Sequence, residues 1–189
     1  MHHNLIVYTH PYEGSLNHAI LETVIASLKK QGRDYEVIDL IKDGFNPVLT
    51  KEELRLYSRG ETIDPLVNKY QDLIKKSDRI IFIYPIWWGE TPALLKGFID
   101  KVMKVHFAYH YDEMHRLIGD LSYLEEVVAI TTGANPKKVF EGYGNSVQKI
   151  FLDVVWKQLG VSKNRWFYCN VVASKEEISG FLQDLSSKI

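Results

Sequence analysis

The sequence predicts an α/β fold in which a five-stranded parallel sheet is covered by helices on both faces. Two observations lead to this prediction. Short runs of β-forming residues alternate with segments of helical periodicity along all 189 residues, which is the pattern of repeated strand–helix units. In addition, the run at 79–84 is hydrophobic at every position after Arg79, as expected for a strand buried on both faces of a parallel sheet. The length is that of one domain, so we treat residues 1–189 as a single domain.

Local signals justify the elements of the first half of the chain. A run of β-formers predicts a strand at 4–9, and apolar residues four apart predict a helix at 16–31, with Ser15 as its N-cap and Gly32 just beyond its end. Alternation predicts a strand at 35–40. Two short helices follow at 51–60 and 65–76, the second opened by Pro65.

The second half repeats the same alternation. After the strand at 79–84, a loop at 85–91 leads into a helix at 92–105 with a wide apolar stripe. A polar, aromatic connection at 106–125 precedes a strand at 126–132, and a connection of that length is uncommon without a function. The remaining elements are predicted as a loop at 133–144, a helix at 145–159, a strand at 166–172 and a closing helix at 175–188.

Composition excludes several classes of function. The 23 basic and 24 acidic side chains nearly cancel, whereas non-specific nucleic-acid binding depends on excess positive charge. The longest apolar stretch, at 80–88, is far short of a membrane span and contains Pro85. The single cysteine, Cys169, excludes an internal disulfide and a multi-thiolate metal site. Without a recognisable targeting segment, these features lead us to expect a soluble cytoplasmic protein with no nucleic-acid partner, membrane insertion or metal.

Three loops that follow strands contain the residues of chemical interest, because ligands of parallel sheets bind at the carboxyl ends of the strands. In the first loop, His10, Ser15 and Asn17 lie beside a helix N-terminus, which suits either phosphate binding or simple capping. In the second, Trp87 and Trp88 offer faces for stacking on a conjugated ring, or they complete the core. The third loop has a small-residue turn and a tyrosine between two glycines.

Familiar catalytic and nucleotide-binding motifs are absent from the sequence. There is no G-x-G-x-x-G fingerprint, no Walker A motif and no G-x-S-x-G elbow. The histidines at 106, 110 and 115 lack a recognised metal-binding pattern. Cys169 lies within an apolar strand, where an inert core thiol is expected.

Five segments, taken in order, resemble a known family over almost the whole chain. The most specific is the run 84–102, YPIWWGETPALLKGFIDKV, and the others are His10 with Ser15-Leu16-Asn17, FNP at 45–47, FAYHY at 107–111 and ITTG at 130–133. The chain resembles the NAD(P)H:quinone oxidoreductases, the family of DT-diaphorase and its short bacterial relatives. The resemblance implies a flavodoxin-like three-layer sandwich built on the five-stranded parallel sheet. It also implies a homodimer that passes a hydride from NADH or NADPH, through a flavin, to a quinone in ping-pong turnover.

The same resemblance assigns roles to residues of this sequence. For the flavin, it places the phosphate region at His10, Ser15, Leu16 and Asn17, the isoalloxazine ring at Pro85, Ile86, Trp87 and Trp88, and the polar edge of the ring at Thr131, Thr132, Gly133 and Ala134. Tyr109 and Tyr111 match aromatics that border the substrate pocket, often from the partner subunit. Tyr143, which stands where long members have a histidine, is the candidate catalytic residue, although a tyrosine does not titrate near neutrality. The C-terminal region with which long members hold adenine is missing, which favours FMN over FAD.

Other functions remain open at this point. Azo and nitro compounds are as plausible acceptors as quinones, since an open aromatic pocket selects shape weakly. Some short relatives resemble ancillary regulators of cation-efflux transporters, in which a flavin site persists while contact with the transporter is the selected function. A flavodoxin-type electron carrier is the third alternative, but the net charge of −1 offers little of the acidic field that steers docking.

Overall fold

The computed structural model describes residues 3–189, which contain two sheets. The larger sheet has five parallel strands in the order β2-β1-β3-β6-β7, and β4 and β5 form a separate antiparallel pair. The strands are β1 (His3–Tyr8), β2 (Asp34–Asp39), β3 (Arg79–Pro85), β4 (Tyr109–Tyr111), β5 (Leu117–Gly119), β6 (Glu126–Gly133) and β7 (Asn164–Asn170). The predicted five-stranded parallel sheet is therefore confirmed.

Helices cover both faces of the larger sheet, as predicted. They are α1 (Leu16–Lys30), α2 (Lys51–Tyr57), α3 (Pro65–Lys75), α4 (Ala93–Val102), α5 (Lys137–Gly142), a π-helix (Ser146–Trp156) and α6 (Lys175–Lys188). One core cluster joins the sheet to α1 and α6, and the other joins it to α3, α4 and the π-helix. Within residues 3–189, no helix is long and apolar enough to cross a membrane.

The predicted helix signals act as expected. Ser15 Oγ accepts a hydrogen bond from the His18 N–H at 3.1 Å, which caps α1. Gly32, just past the end of α1, has a φ of +64°, which only glycine adopts without strain. Asp64 caps α3, and Pro65 occupies its first turn.

Three segments differ from the sequence prediction. The connection at 106–125 contains the β4–β5 hairpin, whose turn is held by Asp112 Oδ1 accepting from the Met114 and Arg116 N–H groups. The loop predicted at 133–144 contains the short helix α5, which follows Pro136. The helix predicted at 145–159 is a π-helix over most of its length. These elements are short or of unusual periodicity, so tertiary contacts rather than local pattern decide them.

The register of the sheet brings the carboxyl ends of three strands to one edge. Tyr8 at the end of β1 pairs with Ile83 of β3, and Pro85 at the end of β3 pairs with Thr132 of β6. The order of the strands reverses between β1 and β3, which is the position where open parallel sheets bind ligands.

Candidate functional site

The three loops predicted to gather at one edge of the sheet line a single cavity of about 250 Å³. The cavity is formed by residues that follow β1, residues at the end of β3 and residues at the end of β6. Its lining residues are His10, Ser15, Leu16, Asn17, Pro85, Ile86, Trp87, Thr132, Gly133, Ala134 and Val171. We call this cavity the slot. All but Val171 were predicted as site residues from the sequence.

The first loop brings a helix N-terminus and a buried amide to the slot. The first backbone N–H groups of α1, at Leu16 and Asn17, have no acceptor within the helix. Asn17 Nδ2 donates to Thr132 Oγ1 at 2.8 Å, which joins the first loop to the third. Asn17 Oδ1 is buried and has no hydrogen-bond partner among residues 3–189. A buried acceptor without a partner is costly, so a ligand donor that reaches this atom gains a hydrogen bond that the described residues do not supply.

The second loop is a tight turn that exposes tryptophan. Trp87 and Glu90 exchange two backbone hydrogen bonds of 3.0 Å. The two residues between them, Trp88 and Gly89, have φ angles of +53° and +81°, as in a type I′ turn. Trp88 is fully exposed, and the left-handed conformation strains its backbone. Strain of this kind, on a large aromatic residue kept in solvent, is typical of functional sites.

The two threonines at the end of β6 point to opposite faces of the sheet. Thr132 Oγ1 faces α1 and accepts from Asn17, whereas Thr131 Oγ1 accepts from Trp166 Nε1 at 2.8 Å on the other face. Thr131 is fully buried and does not line the slot. The structure therefore separates Thr131 from the other members of the third loop, because its side chain points to the opposite face of the sheet and accepts a hydrogen bond from Trp166 there.

A larger cavity, of about 600 Å³, adjoins the slot and shares Ile86, Trp87 and Ala134 with it. Its lining is mainly apolar and aromatic, and we call it the aromatic cavity. Besides the shared residues it is lined by Trp88, Gly89, Asn135, Val139, Phe140 and Tyr143. Tyr143, at the end of α5, is 90% exposed. Its phenol hydroxyl is therefore free to donate to a molecule held in the aromatic cavity.

Tyr109 and Tyr111 lie elsewhere. Their rings meet edge to face at 5.7 Å, and they line a separate cavity of about 400 Å³ together with Tyr57, His106 and other residues. Burial, with a smaller contribution from Tyr57, raises the pKa of Tyr109. This cavity shares no lining residue with the slot or the aromatic cavity. A single chain thus does not bring these tyrosines together with Trp87 and Trp88.

Two aromatic side chains of β7, Trp166 and Tyr168, pack against the third loop, a role that the sequence patterns did not predict. The Tyr168 ring packs edge to face on Phe140 at 5.5 Å and on Trp166 at 6.2 Å, and its hydroxyl donates to the Asn135 carbonyl. Lys137 Nζ lies 4.3 Å from the centre of the Trp166 ring. Burial raises the pKa of Tyr168 to about 12, so its hydroxyl remains a donor. The sequence signal was the spacing of Trp166 and Tyr168, two residues apart on one strand face.

Comparisons with known proteins agree with this geometry. The family model for a flavodoxin-like fold matches residues 2–189. An NAD(P)H oxidoreductase of Haemophilus influenzae is 31% identical over 160 residues, which are 84% of this chain and 78% of that protein. The chain spans about half the length (53%) of some longer curated relatives that it also matches.

Solved structures point the same way. The NAD(P)H:quinone oxidoreductase from Methanothermobacter marburgensis is 26% identical, with a TM-score of 0.88 over 98% of this chain and 96% of that chain. An FMN-dependent NADH-azoreductase from Bacillus anthracis, solved in complex with FMN, has a TM-score of 0.79 over 100% of this chain and 97% of that chain. At 17% identity, its likeness shows the fold alone. The chain therefore belongs to the family of NAD(P)H:quinone oxidoreductases with a flavodoxin-like fold, and it is an oxidoreductase.

Proposed function

We propose that this protein is a flavin-dependent NAD(P)H oxidoreductase that reduces quinones, or similar planar acceptors, by two-electron hydride transfer in ping-pong turnover. One observation carries the proposal. The slot, with a helix N-terminus and the unpartnered Asn17 Oδ1, opens beside the aromatic cavity, so a cofactor and a planar substrate have adjoining places. When bound, a flavin supplies the hydride chemistry that connects NAD(P)H to the acceptor.

The residues of the slot fit a flavin phosphate and its polar chain. The N–H groups of Leu16 and Asn17, at the positive end of α1, suit a phosphate. Asn17 Oδ1 offers an acceptor to a ligand hydroxyl. The Tyr12 N–H lies 3.1 Å from His10 Nδ1. The same Nδ1 lies 3.2 Å from the Tyr12 carbonyl oxygen, so the backbone engages this ring nitrogen and leaves Nε2 to contact the phosphate.

The aromatic residues have a different task. Trp87 lines both cavities, so it suits a conjugated ring that extends from the slot into the aromatic cavity, and Trp88 extends the apolar wall into solvent. At the rim of the aromatic cavity, the Tyr143 hydroxyl can donate a hydrogen bond to an oxygen of the quinone substrate. We do not assign a cofactor contact to the Thr131 side chain, because its hydroxyl accepts a hydrogen bond from Trp166.

FMN is the cofactor that we propose, with FAD as the alternative. The support is the Bacillus anthracis neighbour, which is described as FMN-dependent. The test is to purify the protein, release any bound cofactor and determine its mass. We expect a yellow protein whose colour is bleached anaerobically by NADH or NADPH and restored by a quinone, with parallel-line kinetics. A colourless protein that takes up neither FMN nor FAD would overturn the proposal.

The same assay resolves donor and acceptor. NADH and NADPH are compared at equal concentration, against quinone, azo and nitro acceptors. Asn17→Ala is expected to weaken FMN binding, while Tyr143→Phe is expected to lower kcat for the acceptor half-reaction without changing FMN affinity. The matched control is Tyr123→Phe, a half-exposed tyrosine outside both lining sets.

We further propose a homodimer in which Tyr109 and Tyr111 of one chain complete the aromatic cavity of the other. The support is that these tyrosines line a separate cavity within one chain. Mixing inactive Trp87→Ala and Tyr111→Ala proteins tests this arrangement. If each site combines both chains, mixed dimers contain one intact site and regain about half of the wild-type activity per dimer. Activity that stays at the level of the separate variants would contradict it.

The alternative function, a regulatory subunit of a cation-efflux transporter, predicts a protein with a bound partner and little catalytic activity. It would co-purify with a membrane protein and show negligible quinone turnover even when loaded with flavin. We propose a cytoplasmic enzyme instead, supported by the single thiol, which is buried and whose pKa is raised by burial, with a smaller contribution from Glu177.

A further inference from the structure

A buried tyrosine hydroxyl next to the slot is not used by the proposed function. Tyr8 is the last residue of β1 and is 2% exposed. It belongs to the core cluster that joins the sheet to α1, so its side chain lies on the α1 face of the sheet. Tyr8 Oη is buried and has no hydrogen-bond partner among residues 3–189. A buried hydroxyl without a partner destabilises the protein, so a bound state that supplies a partner is favoured.

The ring of Tyr8 packs against the first turn of α1. It meets the His18 ring edge to face, with the ring centres 6.3 Å apart. The His18 N–H is the group that Ser15 Oγ caps, at 3.1 Å. Burial raises the pKa of Tyr8, and the Ser15 side chain, which lies close to the phenol, lowers it by less. Tyr8 therefore keeps its proton at neutral pH and holds it near the Ser15 hydroxyl.

Ser15 connects the Tyr8 hydroxyl to the slot, which Ser15 lines together with Asn17. A serine hydroxyl donates one hydrogen bond and accepts up to two. The His18 N–H takes one acceptor position of Ser15 Oγ, so the second acceptor position and the hydroxyl hydrogen remain. The Tyr8 hydroxyl is placed to fill the acceptor position, and a phosphate oxygen in the slot can accept the hydrogen.

We infer that Tyr8 is a positioning residue for the FMN phosphate and that it acts through Ser15. The Tyr8 hydroxyl donates to Ser15 Oγ, and the Ser15 hydroxyl then donates to a phosphate oxygen. Because both acceptor positions of Ser15 Oγ are then filled, its hydrogen is directed to the slot, and each hydrogen bond of the chain strengthens the other. This role rests on the proposed flavin function, although Tyr8 itself does not line the slot.

Flavin titrations test this role, because riboflavin has the same ring system as FMN but no phosphate. Both are titrated by fluorescence quenching into flavin-free wild type and Tyr8→Phe, which removes the hydroxyl and keeps the ring. We expect Tyr8→Phe to raise the Kd for FMN roughly fivefold, as for loss of one hydrogen bond, and to leave the Kd for riboflavin unchanged. The Tm of the flavin-free variant should not fall, because the hydroxyl has no partner within residues 3–189 to lose.

Two further substitutions make the test specific. Tyr35→Phe is the matched control, because Tyr35 packs against the same core cluster but pairs with Asn4 at the other end of the sheet. It should change neither Kd. Ser15→Ala should weaken FMN binding by itself, and adding Tyr8→Phe to Ser15→Ala should cause no further loss, since Tyr8 acts through Ser15 Oγ.

Three results would overturn the inference. Equal losses of affinity for FMN and riboflavin would show that Tyr8 supports the fold of the slot rather than the phosphate. An unchanged Kd for FMN would remove any role for the hydroxyl. Additive losses in the double variant would show that Tyr8 does not act through Ser15. A wild-type protein that binds neither flavin is a different result, because it overturns the proposed function itself and this role with it.

Discussion

Buried polar groups have hydrogen-bond partners in the network around Glu53, whereas one buried polar atom lacks a partner among residues 3–189 in the loops around Asn17. Lys104 is fully buried, and its Nζ donates to Glu53 Oε2 at 2.8 Å and to the Glu61 carbonyl at 2.7 Å. Glu53 also accepts from Thr62 Oγ1 and the Ile63 N–H, both at 2.8 Å. At the slot, the Asn17 amide donates to Thr132, while its oxygen has no hydrogen-bond partner within residues 3–189.

This difference distinguishes polar groups that stabilise the fold from polar groups that can bind a ligand. The Glu53 network satisfies its charges and attaches the segment between β2 and α3 to the end of α4, so it needs no further partner. Asn17 lines a cavity, so a ligand can satisfy it. An unpartnered atom alone does not mark a site, because Tyr84 Oη and Trp156 Nε1 also have no hydrogen-bond partner in the described part of the chain but lie in the core beside Phe151.

The largest expected effect comes from breaking the buried pair. Lys104→Met should lower the free energy of unfolding by about 3–5 kcal/mol, because it leaves the Glu53 carboxylate buried without its cation. Urea denaturation measures this loss. The control is Lys96→Met, which removes an exposed pair with Asp100 and should change stability by less than about 0.5 kcal/mol. A similar small loss in both variants would show that the Glu53 network is not structural. Adding Glu53→Gln to Lys104→Met should restore part of the loss.

The next effect distinguishes the two threonines of β6. Thr132→Val removes the acceptor of Asn17 Nδ2, so it should destabilise the protein by about 1–3 kcal/mol and weaken FMN binding. Thr131→Val removes the acceptor of the half-buried Trp166 Nε1 and should cost about 1 kcal/mol with FMN affinity unchanged. Urea denaturation and fluorescence titration with FMN measure the two quantities. Equal loss of FMN affinity in both variants would contradict the view that only Thr132 lies on the face of the sheet that binds the cofactor.

The pH dependence of the Glu53 network gives a third test. Burial raises the pKa of Glu53, but Lys104, the Ile63 N–H and Thr62 together lower it below its ordinary value. A lowered folded-state pKa stabilises the protein above the unfolded value of about 4.3, and this contribution is lost as pH falls through the folded value. Unfolding free energy should therefore decline more steeply below about pH 4.3 in wild type than in Glu53→Gln. If the free energy of unfolding fell equally with pH in wild type and Glu53→Gln, the Glu53 network would not contribute to stability in acid.

The smallest effect concerns strain at the turn beside the slot. Trp88→Gly relieves a left-handed backbone at a fully exposed position, so it should raise the free energy of unfolding by about 1 kcal/mol. It should also raise KM for a planar acceptor, since one wall of the aromatic cavity is lost. Urea denaturation and steady-state kinetics measure the pair. A more stable protein with unchanged kinetics would show that the strain serves no acceptor contact.

Much of the fold could be predicted because its signals are local. Ser15, Gly32 and Pro65 mark helix ends through backbone hydrogen bonds and φ preferences that depend on neighbouring residues. Continuous apolar runs mark the central strands. The β4–β5 hairpin and α5 escaped prediction because each is short and depends on contacts such as Asp112 with its turn and Phe140 with Tyr168.

Local sequence patterns are enough to predict the alternation of strands and helices, the three loops that follow strands and the residue types available to bind a ligand. Folding brought Thr132 and Asn17 together across 115 residues and turned Thr131 away from them. It also placed Tyr111 in a cavity separate from Trp87, and brought Arg33 and Arg79 together at the opposite end of the sheet. The physical reason is that strand order and register, which arise from burial summed over the whole chain, decide which distant side chains become neighbours.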